Sequence, residues 1–109
     1  MSARVYVPTT LAGLAGYVAD AAIPASEERV TAPDEGDESE YAALTEAAAE
    51  SAALQEPPVR RVVVVAEASD PAGVIPMSEV VAVHVDTEDD ADPDTDLAWY
   101  ATQEVGELL

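Results

Sequence analysis

The chain has 109 residues, of which 23 are acidic and four basic, giving a formal net charge of −19; the bases are all Arg, at positions 4, 29, 60 and 61. That length supports one domain around a single small core, and so acidic a surface repels DNA, RNA and anionic lipid, whose binding rests on Lys and Arg displacing counterions. Cys is absent, which excludes disulfides and thiolate chemistry.

Residues 4 to 7 alternate polar and apolar before Pro8 and read as a short first strand. A helix is expected next, with Thr9 or Thr10 accepting the hydrogen bonds of its first turn and Leu11, Leu14, Ala15 and Val18 on one face. Gly13 and Gly16 weaken this helix or let it approach the sheet closely. Pro24, Pro33 and Gly36 mark residues 24 to 36 as a loop. A second helix starts at Asp37, with Glu40 placed to complete a capping box and acids in the first turn suited to the helix dipole. It runs to about Leu54 and stops before Pro57. Its predicted buried stripe is Tyr41, Leu44, Ala48 and Ala52, with Glu46 and Glu50 facing water.

RRVVVVAEA, residues 60 to 68, has the continuous β-branched pattern of a central strand covered on both faces. After turns around Asp70-Pro71 and Pro76, residues 80 to 86 form a further strand, with Val81, Val83 and Val85 on one side and Val80, Ala82 and His84 on the other. The acidic loop 87 to 96 follows. In residues 97 to 108, Trp99, Tyr100 and Thr102 favour a strand whereas Leu97, Ala101, Val105 and Leu108 sit at helical spacing; a strand over 97 to 102 with a helical turn after it is the choice here, because Gly106 would weaken a continuous helix.

RVYVPTTLAGL, DESEYAALTEAAAESAAL followed by RRVVVVAEA, EVVAVHVD and LAWYATQEV together resemble a family of small acidic proteins of unknown function from high-GC actinobacteria. The resemblance implies a compact α/β domain in an actinobacterial cytoplasm. Longer members carry an Ala-rich, helical stretch between the segments matching EVVAVHVD and LAWYATQEV, so this chain looks like a shortened member. With only residues 87 to 96 joining them here, an antiparallel hairpin of the two strands is expected. The family supplies no activity, and no functional residue is carried over from it.

Candidate sites are few. Asp90, Asp92, Asp94 and Asp96 alternate like the first half of a calcium-binding loop, but the glycine position falls on Thr95 and the bidentate acid position on Ala101, and Pro93 restricts the turn. No metal site and no cofactor is therefore expected, and the stretch reads as a solvated acidic loop. His84 shares a strand face with Asp86, as a base and its orienter would. No nucleophile or oxyanion donor accompanies them, so no catalytic residue is assigned and a structural histidine is the default. Trp99 and Tyr100 must point to opposite faces, so one joins the core and the other is a candidate contact residue. Arg60 and Arg61 are expected to pair with the domain's own carboxylates, since no Gly-rich phosphate loop exists.

The architecture these elements favour is an α/β two-layer sandwich with about four strands in a mixed sheet and both helices on one face. An apolar second sheet face would then call for a partner, most simply a homodimer. The functional expectation is a non-enzymatic interaction or regulatory module, presenting an acidic surface (Asp89, Asp90, Asp92, Asp94) and an aromatic (Trp99 or Tyr100) to a basic protein. A small enzyme or metal-binding domain using His84 and Asp86 is the competing class. A third is a structural domain whose charge reflects only its proteome, because the lack of Lys, Asn and Phe is also what a GC-rich or salt-adapted proteome produces. MSARVYVP lacks the apolar core of a signal peptide and no stretch approaches the roughly 20 residues that span a bilayer, so a soluble, cytoplasmic protein without membrane contact is expected.

Overall fold

In the computed structural model, which describes residues 2–109, the chain runs β1 (Ala3–Thr9), α1 (Leu11–Asp20), β2 (Ala22–Ile23), β3 (Val30–Thr31), α2 (Asp37–Ala53), β4 (Val62–Ala68), β5 (Ile75–Pro76), a short 3-10 turn (Met77–Glu79), β6 (Val80–Val85), β7 (Ala98–Ala101) and a terminal 3-10 helix (Thr102–Leu108). Five strands form one sheet in the order β3-β1-β4-β6-β7, and β2 and β5 form a separate two-stranded ribbon. Every pairing is antiparallel. The four-stranded mixed sheet expected from sequence is therefore corrected: three strands of two residues each are too short to show a period-2 pattern, and β4 returns beside β1 antiparallel. The run of Val residues does make the central strand, and β6 and β7 do form a hairpin.

Side chains alternate across a strand, and here they divide the core in two. Val5, Val7, Val62, Val64, Val83 and Val85 pack with Leu14 and Tyr17 of α1, with Ile23 and Ile75 of the ribbon, and with Val105. Tyr6, Val63, Val65 and Ala82 pack with Ala43, Ala47 and Ala48 of α2. The helices thus lie on opposite faces in three layers, not together on one. The whole apolar face expected to be open, and to favour a homodimer, is largely closed: α2 covers β3, β1 and β4. Only the part of that face formed by β6 and β7 lacks a covering helix.

Local details follow from close packing. Thr10 caps α1, its hydroxyl accepting from Gly13 N–H at 3.0 Å. A Cβ on Gly13 would collide with Thr9 Oγ1, so glycine is what lets α1 start directly against the end of β1. Leu11, Leu14 and Tyr17 face the core, while Val18 is exposed. α1 ends at Ala21, a non-glycine residue held at φ 57°. The capping box expected at Asp37 does not form; Gly36 is the N-cap and Asp34 Oδ1 accepts its N–H at 2.8 Å. α2 buries Ala43, Ala47, Ala48 and Ser51, and leaves Tyr41 outside. A bulge opposite Val65 and Ala66 puts Val80 with Val83 and Val85 and turns Val81 outward, correcting the alternation expected for that strand. Among the described residues no helix is long and apolar enough to cross a membrane.

Candidate functional site

The acidic connection between β6 and β7 is built around one buried ion pair. Arg61, just before β4, donates from Nε to Asp86 Oδ2 and from Nη2 to Asp86 Oδ1, both at 2.8 Å, and its backbone N–H reaches Oδ2 at 2.9 Å. The rest of the guanidinium is wrapped by loop carbonyls: Pro93 at 3.1 Å, Asp92 at 3.4 Å and Thr95 at 2.8 Å. Arg61 is 8% and Asp86 3% exposed. Burial pushes the Asp86 carboxyl up, but the hydrogen bonds and charge of Arg61 outweigh it and hold the group below its usual value; its hydrogen bond to Asp86 raises the Arg61 guanidinium further. The segment 86 to 96 is thus a folded rim fastened from beneath, although it lacks regular secondary structure.

Two further ties fix that rim to its neighbour, residues 55 to 60. Asp90, at φ 54°, donates its N–H to the Val59 carbonyl at 2.6 Å and accepts Val59 N–H on Oδ1 at 2.7 Å. Arg60 Nε lies 3.1 Å from Asp89 Oδ1, an ion contact in which the N–H does not point at the oxygen. Gln55 bonds both the N–H and carbonyl of Arg60, and buried Ser51 joins α2 to the sheet, donating to Thr9 O at 2.6 Å and accepting from Val62 N at 2.8 Å. Sequence reasoning passed over Ser51 and Gln55. The only signal for Ser51 was a polar residue on the helical turn facing an apolar strand, and Gln55 lies just beyond the end of α2.

Between α2 and this rim runs a groove of about 700 Å³, floored and walled by Tyr41, Leu44, Ala48, Ala52 and Leu97, with Asp90, Asp94 and Asp96 along its edge. A second concavity of about 440 Å³ adjoins it, sharing Tyr41 and Leu44 and extending over Ala82, His84 and Trp99. The second lies on the part of the sheet face that α2 leaves uncovered, and the first continues from it between α2 and the rim. Trp99 is 60% exposed there, Tyr41 61% and Val81 41%.

The sequence-predicted residues distribute as follows. Trp99 and Tyr100 do point to opposite faces: Tyr100 packs on the α1-side core, and Trp99 stands in the open concavity. His84 lines the same concavity, and burial alone lowers its pKa, favouring the neutral ring. Asp86 is turned away from any role beside His84, since both its oxygens serve Arg61. Of the four loop acids, Asp89 is paired with Arg60, Asp92 accepts Asp94 N–H at 2.9 Å, and only Asp90 and Asp94 line the groove. Among the described residues no three His, Cys, Asp or Glu side chains gather as a metal would need.

Each Arg is engaged inside the domain. Arg4 bridges Glu67 and Glu40, Arg60 meets Asp89, Arg61 meets Asp86, and Arg29 donates to the carbonyls of Pro24, Glu27, Pro71 and Gly73. The pairing of Arg60 and Arg61 with the domain's own carboxylates is as the sequence predicts. All four guanidinium groups thus meet a carboxylate or carbonyl of the domain itself.

The molecule is therefore a small α/β domain on an antiparallel sheet, with one part-open face rimmed by carboxylates. Residues 3–109 match the model of DUF6912, a family of unknown function, and the chain belongs to that family. Comparison with curated proteins and with solved structures gives no match.

Proposed function

We propose that this domain is a non-enzymatic interaction module that binds a basic protein through the groove between α2 and the 86 to 96 rim. The observation that carries the reading is the coincidence, at one place, of an apolar floor with carboxylates that have no internal cation. Apolar area supplies affinity at an interface core, and a polar rim of one sign steers the partner and fixes its register. Asp94 and Asp96 stand at that rim, and Arg61 holds the loop that carries them in shape without neutralising them. Ordering of the rim before binding lowers the entropic cost of association.

The test compares two triple variants. Glu88→Gln, Asp94→Asn and Asp96→Asn remove rim charge, whereas Asp70→Asn, Glu104→Gln and Glu107→Gln remove the same charge elsewhere. Against a basic protein recovered by affinity purification, the rim variant should associate about tenfold more slowly at low salt, with the gap narrowing as ionic strength rises. Equal rates for both variants would show that the rim does not recognise the partner.

A further inference from the structure

We infer that the partner element received here is an amphipathic α-helix, laid on β6 and β7 alongside α2; the inference rests on the interaction reading above and specifies its mode. The geometry is that of a missing helix. Adjacent strands are about 4.8 Å apart and a helix with its side chains is about 10 Å across, so one helix covers about two strands. On this face α2 takes β3, β1 and β4, and the strip beyond is two strands wide. Neighbouring helices on a sheet sit about 8–10 Å apart, which brings the incoming helix against the outward side chains of α2 that line both concavities, Tyr41 and Leu44.

The chemistry of the strip selects the face of that helix. Its floor is mostly apolar, with His84 the polar exception: Ala82 and Val65 belong to the core beneath it, Val81 is turned outward by the bulge, and Trp99 rises 60% exposed from the edge strand. Tyr41 was left outside the core of α2 although larger than the alanines buried in its place. Large exposed aromatics beside an aliphatic floor are the groups that seat apolar anchors at i, i+3, i+4 and i+7 of a docked helix. The length fits too: Tyr41 to Ala52 spans about 16 Å of α2, or three helical turns.

Charge complementarity decides which helix. Asp90, Asp94 and Asp96 border one concavity, whereas at the far end Glu40 is bridged by Arg4, which lines the other concavity with it. A helix whose apolar stripe runs into Lys or Arg at its rim-side end meets uncompensated carboxylates there. A second copy of the chain, with a net charge of −19, brings like charge to the same rim and is disfavoured.

Trp99 is the only tryptophan, so it reports directly. The probe is an amphipathic Leu/Lys peptide of about 18 residues, long enough to form four to five helical turns, compared with a scrambled peptide of the same composition. The amphipathic peptide should gain helicity on binding, shift Trp99 emission to the blue and perturb amides of residues 81 to 84, 97 to 101 and 41 to 52. Val81→Lys and Tyr41→Ala, both at exposed positions, should each weaken it about tenfold or more with an unchanged circular dichroism spectrum. If both peptides bind equally with Trp99 unmoved, the acidic module stands and the helix seat is overturned. If neither binds at low salt, the interaction reading itself fails, and the seat with it. A dimer in sedimentation analysis with Trp99 already shielded would assign the strip to a second copy and overturn the helix.

Discussion

Replacing Arg61 by Met tests the buried ion pair that organises the rim. The substitution keeps much of the side-chain length but removes the donors to both Asp86 oxygens and to the carbonyls of Asp92, Pro93 and Thr95. Asp86 keeps only the backbone N–H of residue 61. Leaving one member of a buried pair uncompensated costs about 3–5 kcal/mol, a large share of the roughly 5–15 kcal/mol available to a domain. With a urea slope of about 1.5 kcal/mol per M, the unfolding midpoint falls by about 2–3 M. The double variant Arg61→Met, Asp86→Asn removes the orphaned charge and keeps an acceptor for the residue 61 N–H, so it should recover about 2 kcal/mol. Acidity separates the two further. With Arg61 present the Asp86 carboxyl is held low, so its contribution exists above the ordinary carboxylate range and is lost as pH falls through the depressed value. Without the guanidinium, burial is opposed only by the residue 61 N–H and the charge of Arg60, the folded-state value rises, and the single variant's deficit should shrink as pH falls from 7 to 5. Urea titrations followed by circular dichroism at both pH values measure all of this. A loss below about 1 kcal/mol, or a double variant no more stable than the single, refutes the view that the pair is a buried, mutually dependent unit.

Three more outcomes follow from the structure. The thermal midpoint should rise between about 0.05 and 1 M salt, because screening relaxes repulsion that four internally committed Arg residues leave uncancelled; scanning calorimetry showing a flat or falling midpoint would contradict this. Ala21→Gly should stabilise the domain by about 0.5–1 kcal/mol, since Ala21 is exposed and held at φ 57°, where only glycine avoids the Cβ penalty; a loss in denaturant titration would count against it. His84 has a lowered pKa caused by burial, so the unfolded chain takes up its proton first and stability falls as pH drops below the ordinary histidine value of about 6.5. His84→Gln should remove that component between pH 7 and 5, and an unchanged slope would place the titration elsewhere.

The parts of the fold that could be read from sequence are those where one residue type dominates one element. The Val run of β4 has no other stable location than a doubly covered strand, and Pro57 together with the acids at Asp37 and Glu40 bounded α2 closely. The faces were harder to read, because a helix that is mostly Ala has no phase at a period of 3.6. Size favoured Tyr41 for burial, whereas the sheet approaches closely enough to require Ala43, Ala47 and a hydrogen-bonding Ser51. In β6 a single bulged residue, Val81, exchanged the sides of Val80 and its neighbours, and a bulge leaves no mark in a run of apolar residues. The candidate site was half legible. The aromatic pair and the acidic loop were visible as composition, but the division between structural acids (Asp86, Asp89, Asp90) and the acids left free at the rim depends on contacts from residues 25 or more positions away.

The pairing of β1 with β4 joins Ala3 to Ala68 and Thr9 to Val62, so the two strands at the sheet's centre enclose most of the first half of the chain. Closing a loop of that length costs on the order of 3–4 kcal/mol before the first contact repays it. β1 must therefore wait, during synthesis or refolding, until α1, β3 and α2 have emerged and β4 arrives. Such topology makes for slow folding, and it leaves VYV and then VVVVA exposed on partly formed edges. A chain of uniform strong charge is kept apart from its neighbours during that interval, because two such edges must bring their full negative fields together before they can pair. The same net charge of −19 that surrounds the finished surface therefore opposes edge-to-edge pairing of the strands whose burial later defines the core.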